Sequence, residues 1–210
     1  MPHSEDPCYF PANFINNQDR MELNYTADKE FERLAFKMNS LKKGEYENCR
    51  FNDCDFSECD LSDCVFTDCE FSYCNLSLVR LTGTTFRDVK FLNCKMLGLH
   101  FDDCNEFGVS FSFENCTLDH SSFYKLKIIK TVFSRTKLTG VDFTECDLTG
   151  SLFPECDLSG AVFESTNLER VDFSTAVNYS LDPDKNRLKK TRFSAGGLPG
   201  LLNKYDIIIS

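Results

Sequence analysis

The sequence predicts an all-β solenoid, a square coil that climbs by one strand spacing per turn. Three observations predict it. A large apolar residue recurs every five positions, through Phe31, Phe36, Leu41, Tyr46, Phe51 and onward to Phe101, then from Phe113 through Phe123, Phe133 and Phe143 to Phe173. Two residues before each stands a small one, such as Cys49, Cys54, Cys59, Cys64, Cys69 and Cys74, and later Cys146, Ser151, Cys156, Ala161 and Thr166. A period of five matches neither the 3.6 of a helix nor the 2 of a flat strand. The chain must therefore turn a corner every five residues, with two residues inward and three outward. Four such sides close a coil of about twenty residues, and the 28 units counted this way make about seven coils, a column about 34 Å tall at ~4.8 Å per rung.

Taken in order, residues 1–30 carry no period and read as an irregular leader or cap, with Phe10 and Phe14 placed to plug the open first coil. An uncapped column would present a bare strand edge. Residues 31–193 are the repeat. Between Phe101 and Phe113 the count slips by two, so a bulge or short loop is expected within 102–112. The run Tyr179-Ser180-Leu181-Asp182-Pro183-Asp184-Lys185-Asn186 breaks the pattern and reads as an excursion over 174–190, although Leu188 and Phe193 return to phase. Residues 194–210 are apolar and too short to fold alone; a short helical cap and an extended tail are expected there. Leu198, Leu201, Leu202, Tyr205, Ile207 and Ile208 exceed what a cap needs and form a candidate dimer interface about a two-fold axis.

The units Cys146-Asp147-Leu148-Thr149-Gly150, Cys156-Asp157-Leu158-Ser159-Gly160 and Cys59-Asp60-Leu61-Ser62-Asp63 resemble those of the pentapeptide-repeat family, over about four fifths of the chain. The resemblance implies a right-handed quadrilateral β-helix. Within the family the chain is most similar to the Qnr-type, topoisomerase-protecting branch. That likeness rests on size, on two stretches parted by a slip, and on the ending Leu201-Leu202-Asn203-Lys204-Tyr205-Asp206-Ile207, which looks like that branch's dimerising tail. The branch implies a homodimer through the C-terminus that imitates duplex DNA and binds DNA gyrase or topoisomerase IV. Two features depart from it: the slip adds only two residues where that branch carries long loops, and a basic stretch interrupts the negative surface.

Of the twelve cysteines, eleven (all but Cys8) fall in the small inward slot, where they alternate with Ser, Thr, Ala and Val. A free thiol there is a small buried filler, so no metal, cofactor or redox role is expected. No run of 18 apolar residues is present, which predicts no transmembrane helix. The start lacks the basic and apolar regions of a signal peptide, so a cytoplasmic bacterial protein is expected.

Net charge is −10, arranged in blocks. Glu45, Glu47, Asp53, Asp55, Glu58, Asp60, Asp63, Asp68 and Glu70 stand against Arg50 alone, and a second acidic block from Asp142 to Asp172 includes Asp147 and Asp157. These twelve, counting Asp142, are the candidate partner-binding acids. Lys125, Lys127, Lys130, Arg135 and Lys137 form a basic band between the blocks, and Lys185, Arg187, Lys189, Lys190 and Arg192 form a second. Such a field repels nucleic acid and attracts a surface that binds it. Charge that only keeps a Phe-rich rod soluble is the alternative, as is a structural use of Asp at each corner. His3, His100 and His120 stand in unrelated places without partners at a fixed relation, and no phosphate loop or nucleophile elbow is present. The expectation is a non-catalytic rod that binds a topoisomerase, or a scaffold for another protein.

Overall fold

In the computed structural model, which describes residues 24–37 and 40–209, the chain forms an all-β parallel solenoid of about eight turns. Its strands are β1 (Asn24–Ala27), β2 (Glu30–Glu32), β3 (Gly44–Glu47), β4 (Arg50–Asn52), β5 (Val65–Thr67), β6 (Glu70–Ser72), β7 (Thr85–Arg87), β8 (Val89–Leu92), β9 (Phe111–Glu114), β10 (Phe133–Ser134), β11 (Asp172–Phe173) and β12 (Arg192–Phe193). All pair in parallel. β1, β3, β5 and β7 stack on the first side of the square, and β2, β4, β6, β8, β9 and β10 on the second, which β11 and β12 continue. The third and fourth sides are held by single bridges at the same spacing, such as Asp55↔Asn75 and Ser122↔Asp142.

Each side turns its central large residue and its small residue inward. On the second side the central residue is phenylalanine in every coil. Phe31, Phe51, Phe71, Phe91, Phe113, Phe133, Phe153, Phe173 and Phe193 stack with ring centroids 4.6–5.7 Å apart and planes within 22° of parallel. Rings of neighbouring sides meet edge to face, as Phe133 and Phe143 do at 6.0 Å and 83°. The small slot also donates a hydrogen bond. Cys94 Sγ donates to the Phe71 carbonyl (3.2 Å), Thr84 Oγ1 to Leu61 (2.8 Å) and Ser151 Oγ to Ile128 (3.1 Å), each one coil back. This explains why Cys, Ser and Thr alternate there.

The corner follows the large residue by two positions and takes a left-handed backbone, as at Asp53 (φ 53°), Asp63 (φ 63°) and Lys130 (φ 57°). That conformation is costly for L-residues, and Asn, Asp and Gly tolerate it best. The next coil holds it in place: Asp53 N donates to Ser72 O (2.9 Å) and Lys130 N to Thr149 O (2.9 Å). Bulky Tyr73 (φ 57°) and Leu78 (φ 58°) accept it on the same terms.

Two features differ from the sequence reading, the start of the ladder and the course of 174–190, and two expected ones, the slip and the cap, gain a definite form. First, the ladder starts inside the segment 1–30, because Thr26, five residues before Phe31, takes a buried inward slot and β1 pairs with β3. With Phe193 stacked at the far end, this brings about seven coils to about eight. Phe10, Phe14, Cys8 and His3 lie outside the described residues.

Second, the slip has a definite place. Asn105 N still bonds Thr84 O, in the old register, whereas Ser110 N reaches Phe86 O and β9 pairs with β8 at a spacing of 22. The two extra residues therefore lie in a bulge at 106–109 on the first side. No ring continues the first-side stack under Phe86 there. Instead Phe111, in a slot normally small, turns inward with its ring 6.4 Å from that of Phe86 and 5.3 Å from that of Phe101.

Third, 174–190 does not leave the column. It is the last full coil: Val177 bridges Asp157, Arg187 bridges Asn167, and Ala176, Tyr179 and Leu181 are buried. Asn186 supplies the bonds that the irregular sequence lacks, donating to the Phe163 and Asp182 carbonyls (both 2.9 Å) and accepting from Thr166 N (3.0 Å).

Fourth, the short helical cap expected at the C-terminus is present and is of the 3₁₀ type. It runs over Ala195–Leu201 and Asn203–Tyr205, with Ser194 Oγ accepting from Gly197 N (3.0 Å). Lys204 anchors it through ion pairs to Asp182 (2.7 Å) and Asp184.

The cap seats on Tyr179 only because two contact positions are glycine. A Cβ at Gly197 would lie 1.8 Å from the Tyr179 hydroxyl, and one at Gly200 would lie 2.1 Å from the Tyr179 carbonyl, whereas one at Gly196 meets nothing within 4 Å. Gly200→Ala is expected to cost about 2 kcal/mol, lowering the melting temperature by roughly 4–8 °C. Gly196→Ala should melt like the parent protein in the same calorimetric scan.

Candidate functional site

Among the described residues the concave regions are shallow grooves between outward side chains, so any site is a surface. The twelve candidate acids spread over all four sides. Asp55, Asp60, Asp142, Asp147 and Asp157 share one slot, immediately before the large residue, and there Oδ1 accepts a backbone N–H two residues on: from Ser57 (2.9 Å), Ser62 (2.9 Å), Thr144 (2.8 Å), Thr149 (3.0 Å) and Ser159 (3.1 Å). Asn75 and Asn167 make the same bond to Ser77 and Glu169 (both 3.2 Å). The slot therefore selects a short acceptor that closes an Asx turn, and its carboxylate charge is secondary.

Of the remaining candidates, Asp53 pairs with Arg33 (3.7 Å), Glu58 with Lys37 (3.1 Å) and Asp63 with Lys43 (3.5 Å), each across about one coil. Asp60 also faces Arg80 (3.7 Å). The turn-forming Asp55, Asp142, Asp147 and Asp157 have no cation partner among the described residues, and neither have Glu45, Glu47, Asp68 and Glu70. Glu47 accepts from Tyr25 Oη (2.5 Å) and Glu70 from Ser72 Oγ (3.0 Å). They adjoin one another across the corner between the first and second sides. The structure adds Asp88, which sits below Asp68 at that corner and accepts from Ser110 Oγ (2.9 Å). Its signal in the sequence was phase alone, twenty residues after Asp68.

The basic band is a belt around the sixth coil rather than a patch. Lys125 pairs with Glu145 (3.6 Å) and Arg135 with Glu114, while Lys127, Lys130 and Lys137 have no carboxylate partner among the described residues. In the lower basic group, Lys185 pairs with Glu164 (2.7 Å), Arg192 with Asp172 (3.4 Å), and Arg187 and Lys189 both approach Glu169 (3.6 and 3.8 Å).

The eleven slot cysteines are free and buried. Burial pushes the thiols of Cys54, Cys59, Cys64, Cys104 and Cys146 up, and those of Cys69 and Cys156 up to about 12. On these seven little thiolate forms near neutrality, which makes them poor nucleophiles and poor ligands. His100 is exposed and 3.4 Å from Asp102, and His120 occupies a corner, folded over Gly140.

Of the candidate dimer residues, Leu201 packs against the core and Leu202 is half-buried. Leu198, Tyr205, Ile207 and Ile208 face outward, Ile208 at 97 % exposure. Ile209 joins them. No helix among the described residues is long and apolar enough to cross a membrane.

A family model described as pentapeptide repeat region matches residues 40–112 and 109–178. Comparison with curated protein sequences gives no match. Among solved structures, a trypsin-treated QnrB1, a plasmid-mediated fluoroquinolone resistance protein, aligns with a TM-score of 0.57 at 18 % identity, covering 89 % of this chain and 100 % of that one. HetL, a pentapeptide repeat protein involved in heterocyst differentiation regulation from the cyanobacterium Nostoc, aligns with a TM-score of 0.55 at 13 % identity over 81 % of this chain and 86 % of its own.

The Asx-turn carboxylates predict an acid limit. Hydrogen bonds from Ser57 hold Asp55 below the usual carboxylate range, those from Ser62 hold Asp60 there, and those from Asn178 and Ser159 do the same for Asp157. Folded values below unfolded ones add stability that is fully present above about pH 4 and is lost as pH falls through the folded values. Melting temperature is expected to stay level from pH 7 to about 5 and to fall steeply below about 4. In the double variant Asp60→Asn, Asp157→Asn, which keeps the acceptors, that fall should be shallower.

Proposed function

The chain belongs to the pentapeptide-repeat family, and from that premise we propose that it is a non-catalytic rod whose upper acidic surface occupies the DNA-binding face of a type II topoisomerase, DNA gyrase or topoisomerase IV. The observation that carries this reading is the unpaired acid group of the upper coils. Glu45, Glu47, Asp68, Glu70 and Asp88 keep their charge outward at strand-rung spacing while Asp53, Glu58, Asp60 and Asp63 are neutralised across coils. Carboxylates on ~4.8 Å rungs follow a groove wall roughly as a phosphate row does.

A second reading, a scaffold for another protein, draws support from the belt at Lys127, Lys130 and Lys137, which ends the negative surface halfway down the rod, and from a bulge of only two extra residues. A supercoiling assay separates the two. Titrated into DNA gyrase with and without a fluoroquinolone, the protein should inhibit supercoiling or rescue it from the drug at micromolar concentration. Glu45→Lys with Glu47→Lys should raise the required concentration at least tenfold, about 1.4 kcal/mol. Neither inhibition nor rescue leaves the scaffold reading.

The outward face of the tail supports a second part of the proposal, end-to-end pairing of two rods through Leu198, Tyr205, Ile207 and Ile208. Light scattering in about 0.5 M salt, where charge contacts are screened, should give a dimer for the parent and a monomer for Ile208→Asp. Two monomers would reduce the tail to a cap.

A further inference from the structure

We propose that two copies of this chain also pair side by side and antiparallel, through the first side of the column and its corner with the second. This side is electrically bipolar. Its four upper coils carry five outward acids (Asp28, Glu45, Glu47, Asp68, Asp88) against Arg87, a net −4. Its four lower coils carry six bases (Lys127, Lys130, Arg170, Arg187, Lys189, Lys190) against Asp147 and Glu169, a net +4. The sign changes at the fifth coil, where the bulge 106–109 projects and Phe107 is 77 % exposed, with Ile129 at 45 % exposure one coil below.

A surface that is negative above, positive below and apolar at its centre is complementary to itself turned upside down. The operation is a two-fold axis lying in the face, across the column, at the fifth coil. Counted on the first side, where β1 is the first of nine rungs over the eight turns, it sets each rung against its mirror in number, the first against the ninth and the fourth against the sixth, and keeps the same corner opposite. Asp28 then meets Lys190, and Asp88 meets Lys130. Asn48 meets Arg170, Asp68 meets Gly150, and Tyr25 faces Arg187. The two Phe107 side chains lie near the axis.

Two like-charge approaches arise: Glu106 in the bulge lies near its own copy at the axis, and Glu47 meets Glu169, but Glu169 is already neutralised by Arg187 and Lys189 (3.6 and 3.8 Å). The parallel alternative sets acid on acid and base on base over the whole height. An aromatic centre with a charged surround is the usual layout of a binding hot spot. The face, about 38 by 15 Å, covers on the order of 600 Å² per copy, near the lower end for a specific interface. The pair is therefore weak, and its dependence on charge makes it salt-sensitive. It does not rest on the topoisomerase reading, although it would cover Glu45 and Glu47.

The test is sedimentation equilibrium of the full chain carrying Ile208→Asp, so that end pairing does not contribute. At about 20 mM salt the mass should rise with concentration from 24.1 kDa toward twice that value, and in about 0.5 M salt it should stay at the monomer. The corners permit charge reversal, because Lys, Glu and Asp all occupy this left-handed position, at Lys130, Glu145 and Asp88 for example. Asp28→Lys with Asp88→Lys should remain monomeric, as should Lys130→Glu with Lys190→Glu, and an equimolar mixture of the two should recover the dimer. Phe107→Asp should abolish it. Circular dichroism checks that each variant keeps the parent fold. A monomer at every salt concentration, or association that both reversals leave unchanged, overturns the proposal. So does a monomer whose lower half binds a fluorescent DNA duplex, which would make that half a nucleic-acid surface.

Discussion

Nine phenylalanine rings in one continuous stack, Phe31 to Phe193, set the terms for the rest of the molecule. A ring at 4.6–5.7 Å from its neighbours above and below has room for no other register, and a one-residue slip would turn the inward side chain out. Each contact adds about 0.5–1.5 kcal/mol beyond burial, and each coil contacts only its neighbours, so stability accumulates coil by coil. The second side tolerates no insertion for this reason. The two extra residues sit on the first side, where the stack of Tyr46, Phe66 and Phe86 stops and Phe111 fills the space from the small slot. Phe113 keeps its place between Phe91 and Phe133 at 5.3 and 5.1 Å.

The same constraint decides what the surface is able to do. With two residues of five committed to the core and a third to an Asx turn or a left-handed corner, chemistry is confined to columns of outward side chains at twenty-residue spacing. Charges in such columns meet their partners on the adjacent coil, as Arg50 meets Glu30 and Lys37 meets Glu58. An acidic composition therefore becomes a surface on which part of the charge is paired off between coils. Outside the Asx turns, the unpaired candidate acids Glu45, Glu47, Asp68 and Glu70, with Asp88, lie at one corner of the upper coils, the unpaired bases of the belt lie around the sixth, and the bulge separates the two groups. Side-by-side pairing and topoisomerase binding would draw on the same acids, so either association limits the other.

Much of the fold was legible because the repeat states it twice, once in the large residues and once in the small. The Asx turns at Asp55 and Asp147 and the burial of the cysteines follow from the same phase. The ends and interruptions were less legible, for a physical reason. Thr26 is polar, yet it occupies an inward slot because β3 covers it. The stretch Tyr179 to Asn186 looks like a loop, yet Asn186 replaces the missing backbone bonds with its amide. A count of apolar residues registers neither, because in both places hydrogen bonding to the neighbouring coil takes over from side-chain size. The candidate acids were harder still. Twelve carboxylates alike in sequence divide into turn-formers, ion-pair members and a free group only when the coil above and the coil below are in view.

By itself the sequence determined the coil, its twenty-residue pitch, the burial of the thiols and the presence of an interruption before Phe113. These are properties of one repeating unit and its nearest neighbours, and every unit repeats them. The tertiary structure decided where the two extra residues go, that 174–190 remains in the column, that the cap is a 3₁₀ turn seated on Tyr179, and which acids keep their charge. These depend on residues twenty or more positions apart meeting across a coil, and the winding of the chain alone brings them together.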